Sequence, residues 1–526
     1  MMAICERIYK LRTAANLSQE QFAAIFGISR QSVQKWESGA SQPELDKLVK
    51  IAKHFDLSLD ALVLDSDSRM MEELSYHKTY KPKYANVNEA VFYGSNLLTE
   101  YRQCREEGLD ISNFKDVFEA VSRLPKDETK KKLADTLFEV VCNAKPVANY
   151  PYTEPSTLDE IRALRVASPD LPAAEQEKLA DQIHGAWLGR VCGCMLGRTV
   201  ECIRTDELIP FLSETGNYPM HRYISRKDVT EDIINKYSYR FASRDYADDG
   251  MGMPADDDTN YTVMAQLMID RYGREFTSYD VSQTWLYFQR KDAYCTAEHV
   301  AYCNFVNGYE PPESAVYKNP FREWIGAQIR TDYYGYINPG NPELAAEMAF
   351  RDACISHVKN GIYGAMWVSA MIAAAAATRD IPTIIRNGLA QIPQTSRLYE
   401  AISQVLSWFE SGISCEKCFA NIHDRFDEFL EHDWCHTVSN AMIVAASLLY
   451  GRGNYGKSIC LAVQTGFDTD CNGATVGSVL GMAFGTAAID KQWTEPIHDT
   501  LNTAIFGVGT VKISDMAAKT MVHVKV

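Results

Sequence analysis

Over the first 65 positions, apolar residues recur three and four apart and are broken at short polar turns. Ile4, Ile8 and Leu11 predict a first helix that ends before Asn16. Ser18 is placed to cap a second helix, with Phe22 and Ile25 marking its apolar face and Gly27 stopping it. Ser29 caps a third, with Val33 and Trp36 pointing inward and Gly39 at its end. Helical patterns over 44–54 and 59–63 complete five. Helix, glycine turn and helix inside a five-helix unit is the helix-turn-helix arrangement.

Downstream the period stays helical. Amphipathic helices are predicted over 87–106, 114–122 and 130–143, with breaks at Gly108–Asp110 and at Pro125. The proline- and tyrosine-rich segment 146–155 reads as a linker. Beyond Leu158, helical stretches alternate with polar loops, and β-branched alternation is scarce. A chain of 526 residues is too long for one core. The expected fold is all-α, with a helix-turn-helix domain over 1–66, a helical connector and linker over 67–157, and a large all-α domain over 158–526. The longest apolar run, 364–378, is alanine-rich and too short for a membrane span; it suits a buried core helix.

Charge changes the picture only modestly. The net charge of −16 gives no global attraction to nucleic acid or to an acidic membrane surface. An acidic enzyme acting on an anionic substrate needs local cations, metal ions among them. The fourteen cysteines are scattered, and the opening residues contain no apolar leader core, so the expected compartment is the reducing cytoplasm, with no membrane partner. Cys415 and Cys418, with Cys435-His436 nearby, lack a second Cys-x-x-Cys and read as free thiols. The tyrosine-rich loop 333–341 either stacks a planar ligand or packs on itself.

Acidic residues gather at two places, each followed by an apolar helix. Asp256-Asp257-Asp258-Thr259 precedes one, and Gly466-Phe467-Asp468-Thr469-Asp470-Cys471 the other. A helix N-terminus favours negative charge. Adjacent aspartates, however, repel one another unless a divalent cation sits among them, and hard oxygen donors suit Mg²⁺, Mn²⁺ or Ca²⁺ better than zinc.

Two resemblances follow from these motifs. The run Gln19…Gly27-Ile28-Ser29…Trp36-Glu37…Gly39…Pro43 resembles the phage-repressor-like helix-turn-helix family. That resemblance implies a second motif helix lying in the major groove of double-stranded DNA. Arg30, Gln31, Gln34 and Lys35 would then face the bases and Gln19 a phosphate. Residues 1–65 carry eight Lys/Arg against eight Asp/Glu, so one copy neutralises few phosphates and a homodimer reading two half-sites is expected.

His184-Gly185…Gly189…Gly193-Cys194-Met195-Leu196-Gly197…Glu201, with the two acidic segments, resembles the ADP-ribosylglycohydrolases, which include the dinitrogenase reductase-activating glycohydrolase. The resemblance implies an all-α fold holding two divalent cations, Mg²⁺ first and Mn²⁺ second, and hydrolysis of a glycosidic bond in an ADP-ribose-containing or otherwise ribosylated substrate. On it, Asp256, Asp257, Asp258, Asp468, Asp470 and Cys471 fall on metal-ligand positions. Glu201, Asp258 and Asp468 are the candidate catalytic groups, with Glu201 or an aspartate as general acid or base. His357 and Asn360 fall on a helix read as contacting substrate. Three residues depart from the pattern. Cys194 replaces an aspartate, Asp256 a threonine, and Cys471 a hydroxyl ligand with a soft thiol. The competing expectation is a transcription regulator whose degenerate glycohydrolase domain senses a nucleotide without turnover.

Overall fold

The computed structural model describes residues 4–63 and 83–524. The chain divides into two compact units, Met1–Asn86 and Val87–Val526.

The first unit contains α1 (Ile4–Ala14), α2 (Gln19–Phe26), α3 (Arg30–Glu37), α4 (Leu45–His54) and α5 (Leu59–Val63). Ser18 accepts from the backbone N–H of Gln21, whose side chain returns to the Ser18 N–H, a closed capping box. Gly27 ends α2 at φ 61°, a left-handed position that glycine adopts without strain. Ser29 caps α3 by a single bond, its hydroxyl accepting from the Ser32 N–H. Ile8, Phe22, Ala23, Phe26, Val33, Trp36, Leu48, Ile51 and Leu62 form the core. Ile25, expected inside, is 42% exposed. Phe26 takes the inward place, its ring 4.7 Å from that of Phe22 four residues earlier, and Ile25 lies a step round the helix.

In the second unit, α6 (Leu97–Glu106), α7 (Lys115–Ser122) and α8 (Glu128–Cys142) share a small core of Leu97, Phe118, Val121, Ala134 and Leu137. The helix expected from residue 87 begins only at Leu97. Asn88 Oδ1 accepts from the Ala90 N–H at 2.8 Å and Asn96 Nδ2 donates to the Glu89 carbonyl, so side chains supply the turn that a helix would otherwise supply. The segment 146–155, expected to be a linker, is packed instead. Its Glu154 is buried and accepts from both Arg397 and Asn360, and Tyr150 donates to the Glu106 carbonyl.

The large core is built around α9 (Leu179–Arg198), α10 (Asp257–Tyr272), α11 (Lys359–Ala375), α12 (Glu431–Cys435), α13 (Thr437–Gly451) and α14 (Thr469–Phe484). Helix α11 is buried almost throughout, as its alanine-rich run predicts. The tightest packing is between α9 and α14, which run antiparallel through a ladder of glycines. Gly185 meets Gly481, Gly189 meets Gly477, Gly193 meets Gly473, and Gly197 meets the backbone of Thr469 and Asp470. At each rung a Cβ on the α9 glycine would lie 2.0–2.5 Å from backbone of α14, so no larger residue fits without separating the helices. Among the described residues the only named strands are Thr500–Asn502 and Thr510–Lys512, an antiparallel pair with Thr500 opposite Lys512. Tyr333, Tyr334 and Tyr336 lie in a short helix, Asp332–Tyr336, and are fully buried, so the segment packs on the core and offers no open stacking face.

Candidate metal centre

Three chain segments bring the acidic residues together. Asp256 caps α10, its Oδ1 accepting from the Asp258 N–H at 3.0 Å, and Asp257 and Asp258 form the first turn. Asp468 stands at the N-cap of α14, its N–H donating to Asn440 Oδ1, which also binds Asn472 Nδ2 at 2.7 Å. Thr469 Oγ1 donates to the Gly197 carbonyl, so the last glycine rung fixes the acidic turn against α9.

Oxygens of Asp256, Asp257, Asp258 and Asp470 lie within 4.8 Å of one another, and Asp258, Asp470 and the Cys471 sulfur form a second set within the same limit. Asp256, Asp258, Asp468 and Asp470 are all buried. Cations balance only part of this charge. Arg198 donates to Asp256 Oδ2, and Arg190 donates to Asp258 Oδ1 at 2.9 Å, to Asp332 Oδ2 at 2.7 Å and to the Ile329 carbonyl. Asp470 Oδ1 is buried and has no hydrogen-bond partner. Burial, reinforced by neighbouring carboxylates, holds Asp257, Asp258 and Asp470 well above the ordinary aspartate range, and Asp468 is raised for the same first reason. Uncompensated buried carboxylates either hold protons or hold cations. The donor set fits divalent ions, mostly through hard oxygens.

Glu201 follows α9 and is half-buried. Burial and the charges of Asp468 and Asp256 push its carboxyl up to about 7, while Arg244, 3.5 Å away, opposes the shift. A carboxyl titrating near neutrality beside a polar cluster is suited to carry a proton in either direction.

His357 and Asn360 are not brought to the carboxylates. His357 is fully buried, bonded to Ser356 through Nδ1 and held neutral by burial, and it borders a separate apolar cavity of about 510 Å³ with Phe138, Tyr317 and Val358. Asn360 belongs to a buried ionic knot, donating to Glu154 and Glu323 at 2.8 Å while its Oδ1 accepts from the Leu398 N–H. Gln19, assigned to a phosphate, spends its amide on Glu37, which also binds Arg12. Arg30, Gln31, Gln34 and Lys35 are exposed on α3, opposite the buried Val33 and Trp36.

Sequence patterns passed over three groups at the centre, Arg190, Arg198 and Cys435. Arg190 and Arg198 sit on α9, and Cys194 lies between them. Cys435 donates to Asp468 Oδ2 at 3.8 Å from the end of α12. The spacing of 190, 194 and 198 places all three on one helix face, the one signal available.

A third group, Glu106, His432 and His436, has the compactness of a metal site but not its lone pairs. Nδ1 of His432 accepts from the Trp324 indole N–H, and Nδ1 of His436 accepts from the Val438 N–H. Each neutral ring therefore carries its proton on Nε2, and both Nε2 atoms face Glu106 Oε2, at 3.2 and 3.7 Å. Burial pushes His436 down to about 4, which keeps the ring neutral. This is a carboxylate clamp joining α6 to α12. The Nδ1 contact also makes His436 the N-cap of α13.

An all-α domain with buried paired aspartates at two helix N-termini, carrying a helix-turn-helix unit ahead of it, defines the class. The sequence profile of the ADP-ribosylglycohydrolase family matches residues 175–521, and the chain belongs to that family. A helix-turn-helix profile matches residues 8–62. Over 83 residues the chain is 34% identical to the HTH-type transcriptional activator BcrR of Enterococcus faecalis, covering 16% of this chain and 41% of that one. Over 61 residues it is 44% identical to the cryptic phage CTXphi transcriptional repressor RstR of Vibrio cholerae serotype O1, covering 12% of this chain and 54% of that one. The chain thus spans about half the length of these regulators. A solved ADP-ribosylglycohydrolase-related protein complex aligns at TM-score 0.42 and 16% identity, over 66% of this chain and 98% of that one. No helix among the described residues is long and apolar enough to cross a membrane.

Proposed function

We propose that the protein is a divalent-cation-dependent hydrolase of an ADP-ribosyl or related ribosyl N-glycosidic bond, and that its helix-turn-helix unit, as a homodimer, reads double-stranded DNA and targets or regulates that activity in the cytoplasm. The observation that carries the reading is the buried carboxylate cluster with too few cations of its own and an unpartnered Asp470 Oδ1. Asp256, Asp257, Asp258, Asp468, Asp470 and Cys471 would hold two ions, Mg²⁺ or Mn²⁺. Bound there, the ions would supply Lewis acidity toward ribose hydroxyls and a water.

The chain's own residues do the rest. Arg190 and Arg198 hold Asp258 and Asp256 by one oxygen each, leaving the other turned to the cluster. Asn440 and Thr469 fix the turn that carries Asp468 and Asp470. Glu201 exchanges a proton at its carboxylate, to the leaving nitrogen or from the attacking water. The exposed row Arg30, Gln31, Gln34 and Lys35 offers donors matched to guanine and adenine edges. The test is release of free ADP-ribose or ribose from a panel of ADP-ribosylated proteins, nucleosides and ribosylated small molecules, with Mg²⁺ and with chelator. Chelator-sensitive release from a ribosylated substrate supports the reading; binding of such ligands with no turnover would assign the domain to sensing instead.

A further inference from the structure

Two thiols, Cys194 and Cys471, each share a donor set with two carboxylates of the centre, while a third, Cys435, reaches only Asp468. The Cys471 sulfur lies within 4.8 Å of carboxylate oxygens of Asp258 and Asp470, and the Cys194 sulfur lies within the same limit of Asp256 and Asp258. Both side chains are buried, at 5% and 0% exposure. Cys194 reaches the cluster because its neighbour Gly193 packs directly on Gly473, which brings α9 against the start of α14.

The oxygens around the thiols are oriented. Arg190 takes Asp258 Oδ1, while Asp258 Oδ2 faces the Cys194 sulfur at 4.0 Å. Arg198 takes Asp256 Oδ2, and Asp256 Oδ1 accepts only a backbone N–H. Asp470 Oδ1, buried and unpartnered, is a second and independent sign that the cluster is built for a ligand. Beside the all-carboxylate set of Asp256, Asp257, Asp258 and Asp470, two three-donor sets result, each with one sulfur and two carboxylates, and Asp258 belongs to all three.

The sulfur in each of the two three-donor sets is a poor match for Mg²⁺, which takes hard oxygen ligands, and a good one for borderline-soft divalent ions. We propose that Cys194 and Cys471 make this a mixed carboxylate–thiolate centre, with Asp258 shared between two seats, that takes a divalent transition ion of the zinc or iron(II) class in preference to Mg²⁺. On ligation each thiol exchanges its S–H for a sulfur–metal bond and its proton passes to buffer. The proposal rests on the reading of the cluster as a cation centre and assigns which ion it is built for.

Co²⁺ titration of the full chain under reducing conditions tests it without recourse to activity. The expected result is a near-ultraviolet sulfur-to-cobalt charge-transfer band accompanying the visible ligand-field bands. Cys471→Thr and Cys194→Ser should each lose part of that band and the double variant all of it, with the ligand-field bands retained. Mg²⁺ should fail to displace Co²⁺ from the wild type and should displace it from the double variant. If Cys194→Ser does not fold, the wild-type spectrum and Cys471→Thr still decide the matter. Co²⁺ bound with ligand-field bands alone overturns the thiolate assignment and leaves the cation centre standing. A chain that takes up no Co²⁺ overturns both.

Discussion

Gly193 and Gly473 meet backbone to backbone: a Cβ on Gly193 would lie 2.0 Å from the Gly473 carbonyl oxygen, and one on Gly473 would lie 2.4 Å from that of Gly193. This rung sets the distance between the helix that carries Cys194, Arg190 and Arg198 and the turn that carries Asp468 and Asp470. Gly193→Ala must push the helices apart, since the obstacle is backbone and no side chain can swing away. Overpacking of this kind costs about 1–3 kcal/mol, or more where nothing relaxes. Thermal denaturation should show that loss, and cation affinity should fall with it. An unchanged melting temperature with unchanged affinity would remove the ladder from the account.

A second prediction concerns the segment that reads as a linker. Arg397 donates to Glu154 at 2.8 Å and to Glu323 at 2.7 Å, and both carboxylates are buried. Arg397→Met leaves them without a cation, a change that costs on the order of 3–5 kcal/mol. Denaturant titration measures it. A loss below about 1 kcal/mol, typical of an exposed pair, would show that 146–155 is not anchored to the large unit.

The pH dependence has a definite sign. Asp257, Asp258 and Asp470 are held above the ordinary aspartate range, and Glu201 is pushed up to about 7. An unfolded carboxyl titrates near 4, so in the cation-free chain the folded state holds protons that unfolding releases. Stability from this cluster is fully present below about pH 4 and is lost as pH rises through the raised values. Divalent ions take the place of the protons, so the stabilisation they confer should grow from about pH 5 to pH 8, with proton release on binding. Thermal melts with and without cation, and calorimetry in two buffers of different ionisation enthalpy, check both statements. Stabilisation by the cation that shrinks as pH rises would contradict them.

On α3, Arg30→Ala and Gln31→Ala should each lose about 1–3 kcal/mol of sequence discrimination, measured by competition with random duplex. The Arg30–Glu20 pair is exposed and its loss costs little, so stability should hardly change. Gln19→Ala should act differently from a phosphate contact. It frees an acceptor on Glu37 and loosens the clamp with Arg12, so its effect should appear in the melting temperature.

What could be read from the chain follows the reach of local rules. Ser18, Gly27 and Ser29 act within three or four residues of themselves, and the five helices they punctuate were legible for that reason. The acidic turns were legible because carboxylates crowded at a helix start lack a local explanation. Arg190 was not. Its partners Asp258 and Asp332 lie 68 and 142 residues away, and nothing in α9 announces them. Glu154 sits among prolines and tyrosines that look like a linker, and only Arg397 and Asn360, brought in by the fold, make it a buried ion. His357 shows the opposite failure: a histidine flanked in sequence by Arg351, Asp352 and Asn360 that the fold buries at the wall of an apolar cavity also lined by Phe138 and Tyr317.

The central claim is that the Asp256–Asp258 and Asp468–Asp470 turns form one cation centre that drives hydrolysis. Its most direct test is cation-dependent release of ADP-ribose by the wild type beside Asp257→Asn and Asp470→Asn, with melting temperatures recorded for all three. The account predicts release by the wild type, near-complete loss in both variants at saturating cation, and cation-free variants at least as heat-stable as the wild type, because each removes a carboxyl that must otherwise hold a proton or repel its neighbours. Either variant turning over at the wild-type rate would contradict it.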